Sequence, residues 1–150
     1  MAAAEDAIPA GARVGQLPRR VAFYETDAMG VVHHSNYVRF FEDARIVWMD
    51  TYTEPYRAWV ARNLHFAVTK VELRCVRSAA FDDVLEVATW LEWVRGASLR
   101  MAYRIRRGDD VIVTGATEHA CVDGTGRVRR LPPEARERFA KHALRKEEKS

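Results

Sequence analysis

Asp27 and His34 are the two side chains around which chemistry can be organised in this sequence. Asp27 falls within Glu25-Thr26-Asp27-Ala28-Met29-Gly30, a turn-forming stretch, and His34 stands where a long apolar periodicity begins. Tyr37, Phe41, Ala44 and Trp48 recur at helical spacing, with Phe40, Val47 and Thr51 beside them. Val38, Ile46 and Met49 widen the stripe almost around the cylinder, which predicts a buried helix. Ser35 and Asn36 are both good N-caps at the point where the periodicity starts. A helix start offers unpaired backbone N–H groups and the positive end of the dipole. Such donors suit an oxygen that gains negative charge during acyl transfer. A carboxylate beside them serves as base or nucleophile. The competing reading is structural: Asp27 holds the turn and His34 is a satisfied residue near a cap.

Other chemistries are less well supported. Asp27, His33 and His34 lack an HExxH pattern or a fourth ligand, so no metal site and no cofactor are expected. His119 and Cys121 share a strand face, but a nucleophile pair needs a third, orienting group, and strand packing is the expectation. Glu42 either pairs with Arg45 one helical turn on or lines a pocket. Tyr24, Asn36 and Tyr37 are read first as turn and cap residues. Arg77 and Arg95 fall at loop positions, where an arginine is either solvated or meets a phosphate through charge-assisted bonds.

The elements that must position these groups follow from length and pattern. A chain of 150 residues predicts one domain with a core that needs no staples. With 48% hydrophobic and 30% charged residues it reads as a soluble globular protein. The net charge of +3 and a pI near 9.1 suit a phosphate-bearing ligand, while the dispersed arginines argue against nucleic acid. Cys75 and Cys121 form no metal or disulfide framework, so reduced thiols and a cytoplasmic location are expected. No run approaches the roughly 18 apolar residues of a membrane span. The amino-terminal stretch lacks the apolar core of a signal peptide, and integral membrane association is not expected.

Residues 1–18 read as a flexible arm, 19–145 as a single domain and 146–150 as a charged tail. The pattern predicts a strand over 19–24, the central helix over 35–52 and a short helix or ordered loop over 54–63, with Pro55 at its first turn. The period then changes to two. Strands are predicted over 65–76, 84–94, 97–106 and 111–122, and a short one over 127–131. In the first of these, Ala67, Thr69, Val71, Leu73 and Cys75 are assigned one face. Pro132-Pro133 opens a terminal helix over 134–144. The order is that of an α+β domain: one antiparallel sheet wrapped on a central helix.

The run from Tyr24 to Tyr37, followed by Phe41-Glu42-Asp43-Ala44-Arg45, resembles the signature of the hotdog-fold 4-hydroxybenzoyl-CoA thioesterase family, which includes the acyl-CoA thioesterases associated with the Tol–Pal system. Phe81-Asp82-Asp83-Val84-Leu85, Glu92-Trp93, Asp123-Gly124 and Arg130-Leu131-Pro132 extend the resemblance over about residues 19–140. It implies a curved antiparallel sheet around a long central helix, with a carboxy-terminal helix, and homodimers or homotetramers with active sites at subunit interfaces. It implies hydrolysis of a small acyl- or aroyl-CoA thioester to free acid and CoA. Asp27 becomes the catalytic carboxylate, as nucleophile or general base, and the His34 backbone N–H polarises the carbonyl, with the His34 side chain beside it. Tyr24, Gly30, Val31, Glu42 and Phe66 are assigned to substrate binding, and Arg77 and Arg95 to CoA. The alternative on the same fold is a module that binds an acyl thioester or acyl carrier protein without hydrolysis.

The chain departs from the family pattern at three places. Arg95 stands alone at the turn after Glu92-Trp93, where the hydroxybenzoyl branch carries several basic residues. Met29 replaces the first glycine of the Asp-Ala-Gly-Gly found in many relatives. No proline precedes Phe81-Asp82-Asp83.

Overall fold

The computed structural model describes residues 6–145. Helix α1 (Ser35–Tyr52) occupies the predicted span. Its inner face is Tyr37, Phe40, Phe41, Ala44, Trp48 and Met49, all buried, while Glu42, Asp43 and Asp50 face out. Val38, Ile46 and Val47 are only half-buried, so the helix is covered on one side rather than all round. Helix α2 (Tyr56–Ala61) follows, with Pro55 as its cap residue.

Strands β1 (Gly15–Arg20), β2 (Leu64–Cys75), β3 (Val84–Val94), β4 (Ser98–Arg107) and β5 (Asp110–Asp123) form one antiparallel sheet in the order β1-β3-β4-β5-β2. The alternation of β4 is realised as predicted: Leu99, Met101, Tyr103 and Ile105 are buried against the helix side. Phe41 stacks on Tyr103 with ring centroids 4.1 Å apart. Gly115 of β5 makes room for that ring, since a Cβ there would stand 2.9 Å from it and 2.4 Å from the Glu72 carbonyl oxygen. Helix α3 (Pro133–His142) closes the far end of the core, where Phe139 meets Trp48, Trp59 and Phe66. The architecture is α+β, a hotdog fold.

Three expectations are corrected. The first strand is Gly15–Arg20, not 19–24. Its backbone partners in β3, from Gly15 opposite Thr89 to Arg20 opposite Val84, supply the order that its composition does not announce. The preceding stretch also packs, because Trp48 Nε1 donates to the Arg13 carbonyl at 2.9 Å and Tyr52 Oη to that of Val14 at 3.0 Å. The first five residues of the arm expected over 1–18, and the tail over 146–150, lie outside the described residues. Next, β2 does not keep one parity. Its register jumps between Val68 opposite His119 and Lys70 opposite Glu118, a bulge at Thr69. Phe66 and Val68 therefore share a face with Val71 and Leu73, and Ala67 does not. Lastly, residues 127–131 make a single bridge, Val122 with Val128, instead of a strand.

Candidate active site

Between β1 and α1 the chain makes a 3₁₀ turn, Phe23–Glu25, and then a small hairpin closed by a bridge between Thr26 and Val32. Asp27 and Gly30 form its tip. Asp27 N–H donates to the Val31 carbonyl at 2.9 Å and Gly30 N–H to that of Asp27 at 2.9 Å. Gly30 has φ +80°, which the absence of a Cβ permits. Asp27 Oδ1 accepts from Met29 N–H at 2.8 Å, while Oδ2 has no partner among the described residues. The carboxylate is thus fixed through one oxygen and free at the other. Thr26 Oγ1 braces the same turn by donating to the Phe23 carbonyl at 2.7 Å.

Glu25 joins this hairpin to the helix start. Its buried side chain accepts from Arg19 Nη2 at 2.5 Å and from Ala22 N–H at 2.7 Å. Its carbonyl oxygen accepts from His33 N–H at 2.9 Å and from Asn36 Nδ2 at 2.8 Å. Val31 bridges Ala80, and Val32 N–H donates to the Ala79 carbonyl at 2.8 Å, so the loop before β3 holds the other leg.

The helix cap differs from the expectation of Ser35 or Asn36. His34 is the N-cap residue, with φ −55° and ψ −29°, and its side chain makes no capping bond. His33 does that work: Nδ1 lies 2.8 Å from Ser35 Oγ and accepts from Ser35 N–H at 3.3 Å. The His33 and His34 rings stack at 4.3 Å. The backbone N–H of His34 has no acceptor among the described residues, whereas those of Asn36 and Tyr37 bond to His33 and His34 carbonyls. Burial pushes the Tyr37 phenol up to about 12, with Cys75 adding to the shift, so Tyr37 is neutral across the physiological range.

The remaining candidates divide. Tyr24 is exposed beside Phe23, and Phe23 meets Phe81 edge to face at 5.6 Å. With Met29, 85% exposed, these residues make an apolar surface around the Asp27 turn. Glu42 is exposed, and Arg45 turns from it to donate to Tyr103 Oη at 3.1 Å. Phe66 lies in the aromatic cluster with Trp59 and Phe139 at the other end of α1, so one chain does not bring it to Asp27. Arg77 N–H bonds to the Ile112 carbonyl, whereas Arg95 sits at the turn where Cys121 N–H meets Ala97. Ile112 and Cys121 are separated by about 30 Å at the rise of a strand, so the two arginines stand at opposite ends of the sheet. Arg95 stacks over Trp93 at 4.1 Å and is not alone. Arg130 Nη2 lies 3.2 Å from where a Gly96 Cβ would stand, an approach between distant segments that spacing does not reveal. Glu25, which clamps the hairpin to the helix start, and Arg130, which reaches Gly96, are neighbours of the candidate residues to which the sequence pattern assigns no role. Among the described residues no cluster of His, Cys, Asp and Glu could hold a metal ion.

Comparison with known proteins agrees with this architecture. The profile of the Thioesterase-like superfamily matches residues 21–139. The acyl-CoA thioester hydrolase YbgC of Escherichia coli is 35% identical over 107 residues, covering 71% of this chain and 80% of that protein. The crystal structure of a hypothetical protein from Thermus thermophilus superposes with a TM-score of 0.83 at 31% identity, covering 88% of this chain and 99% of the other. A DHNA-CoA thioesterase from Staphylococcus aureus gives 0.81 at 26% identity, covering 85% and 89%. The class these matches define is the thioester hydrolase of hotdog fold. The chain belongs to the Thioesterase-like superfamily.

Proposed function

We propose that the protein hydrolyses a small acyl- or aroyl-CoA thioester to free acid and CoA, with Asp27 as the catalytic carboxylate. The observation that carries this reading is the pairing of a half-free Asp27 carboxylate with an acceptor-less His34 N–H, held to one another through Glu25. The His34 amide stands at the positive end of α1 and receives the carbonyl oxygen as it gains charge. Asp27 Oδ2 then has two routes. It attacks the carbonyl carbon, expelling the CoA thiolate and leaving a mixed anhydride for water to cleave, or it takes a proton from the water that attacks. Both routes end in the same acid and thiol. The His34 ring lies beside the reacting centre.

The exposed aromatic surface around the turn and the open edge of β2 support a homo-oligomer that completes the pocket, lined by Tyr24, Gly30, Val31 and Glu42, with Phe66 delivered by a second copy. Arg95 with Arg130, and Arg77 from another part of the assembly, meet the CoA phosphates. Among the described residues no helix is long and apolar enough to cross a membrane, and both cysteines are free, which fits the cytoplasm.

Purified protein assayed against a panel of acyl- and aroyl-CoAs, with Asp27→Asn beside it, tests the reading. Asparagine keeps Oδ1 as an acceptor for Met29 N–H but neither attacks nor takes a proton. Turnover is expected to fall at least a thousandfold with the melting temperature unchanged. Equal turnover in the variant removes Asp27 from the mechanism. Acyl-CoA binding without hydrolysis across the panel identifies a binding module instead.

A further inference from the structure

The sheet face turned away from α1 carries a hollow that the proposed reaction does not use. The strand register lays three rows of side chains across it. Trp90, Ala102, Ala116 and Glu72 form the middle row. Arg104, Thr114 and Arg74 form the row on one side, and Arg100, Glu118 and Lys70 the row on the other. Two facing alanines at the centre leave a hollow of about 390 Å³, rimmed by Asp6 and Pro9 of the amino-terminal segment.

The charged side chains around this hollow are paired with one another, with one exception. Arg100 bridges Glu72, Glu92 and Glu118 at 2.8 to 2.9 Å. Arg74 is held by the buried Asp6 at 2.6 Å. Arg104 makes no hydrogen bond or ion pair among the described residues, and its Nε is shut from solvent with no acceptor. The same holds for the indole Nε1 of Trp90, a residue only 7% exposed. Burial and the neighbouring Arg106 charge pull the Arg104 pKa below its usual value. Two buried donors without acceptors, diagonal neighbours on one face, constitute an unmet demand for an oxygen. Arg104 is only half-buried, so its side chain can rotate to present the guanidinium to the hollow.

We infer that this hollow binds a small organic monocarboxylate, whose oxygens accept from the Arg104 guanidinium and the Trp90 indole N–H while its apolar part lies over Ala102 and Ala116. Arg104, the cation there without a carboxylate partner among the described residues, meets the one negative charge. A phosphate monoester, with about −1.5 to −2 charges, would bring more negative charge than the single unpaired Arg104 can meet, beside carboxylates whose cations are already engaged. The site stands on the opposite sheet face from α1 and is read by binding, so it survives or fails independently of the thioesterase reading.

The test is titration of the whole protein with benzoate and with propionate at constant ionic strength. It follows the indole N–H signals of its 4 tryptophans in a ¹H–¹⁵N spectrum, with Trp90→Phe identifying one of them. A saturable shift of the Trp90 signal is expected for at least one carboxylate. Binding should weaken at least tenfold in Arg104→Gln and in Ala116→Leu, which fills the hollow. The other indole signals report whether each variant is folded, and Arg104→Gln decides alone if the leucine variant is not. The inference is overturned if neither carboxylate moves the Trp90 signal, if chloride or inorganic phosphate moves it as strongly, or if Arg104→Gln binds as the parent does.

Discussion

The Asn36 side-chain amide donates to the Glu25 backbone carbonyl at 2.8 Å, sharing that oxygen with the His33 N–H. A single carbonyl therefore clamps the first turn of α1 to the base of the hairpin that carries Asp27. Asn36 is 9% exposed, so removing its donor leaves a buried acceptor half-satisfied. Asn36→Ala is expected to cost about 1–3 kcal/mol of stability. It should also lower kcat at least tenfold at temperatures well below the melting point, with KM little changed, because the carboxylate and the His34 amide lose their common reference. Asn36→Asp, which is similar in shape but donates nothing, should behave alike. Unfolding curves and steady-state kinetics on the two variants check this.

How much of this was legible beforehand depends on how local the cause is. The α1 span and the β4 alternation are written in periodicity, because burial of one face decides both. The Asp27 turn was legible because Asp and Gly declare turn chemistry in their own side chains. β1 was not, since Gly15, Gln16 and Pro18 carry no strand pattern and are ordered by β3, far along the chain. The Thr69 bulge is equally silent: it follows from the register against β5 and reverses the parity read from β2. The cap was misassigned because Ser35 and Asn36 qualify by type, while the three-dimensional setting gives Asn36 to Glu25 and lets His33 receive the Ser35 N–H.

Arg95 and Arg130 provide a test of where the CoA phosphates rest. Arg130 reaches Gly96, the residue next to Arg95, and neither arginine forms an ion pair among the described residues. Arg95→Gln and Arg130→Gln should each raise KM for an acyl-CoA about tenfold, the scale of one charge-assisted bond, and leave kcat unchanged. The same variants should not alter KM for the matching acyl-pantetheine, which lacks the nucleotide phosphates. A rise for both substrates would place the effect on folding or on the acyl pocket.

β2 is the longer free edge of the sheet, and Val68 and Val71 are exposed on it. A long apolar edge is a template for pairing with another chain. If a second copy completes the pocket, as proposed, the double variant Val68→Lys with Val71→Lys is expected to shift the protein toward monomer and to abolish hydrolysis. Light scattering coupled to size exclusion gives the mass, and far-ultraviolet circular dichroism shows whether the fold survives. An active monomer would remove the second copy from the site.

His119 sets a pH dependence of stability. It is fully buried, with Nε2 2.7 Å from Thr117 Oγ1, and Thr117 in turn lies 2.6 Å from the Tyr103 hydroxyl. Burial, helped by the Arg45 charge, lowers its pKa from 6.5 to about 3. The folded state therefore stays unprotonated while the unfolded chain takes up a proton below pH 6.5. Stability is full above that pH and falls as the solution is acidified toward pH 3. The slope approaches about 1.4 kcal/mol per pH unit, or roughly 2 kcal/mol lost by pH 5. Most of this loss precedes the titration of ordinary carboxylates. His119→Gln, which cannot titrate, should be less stable at neutral pH yet flatter than the parent between pH 7 and pH 5, keeping the slope contributed by His142, whose pKa burial also lowers. Urea unfolding across that interval compares the two slopes, and parallel curves would show that another group carries the acid sensitivity.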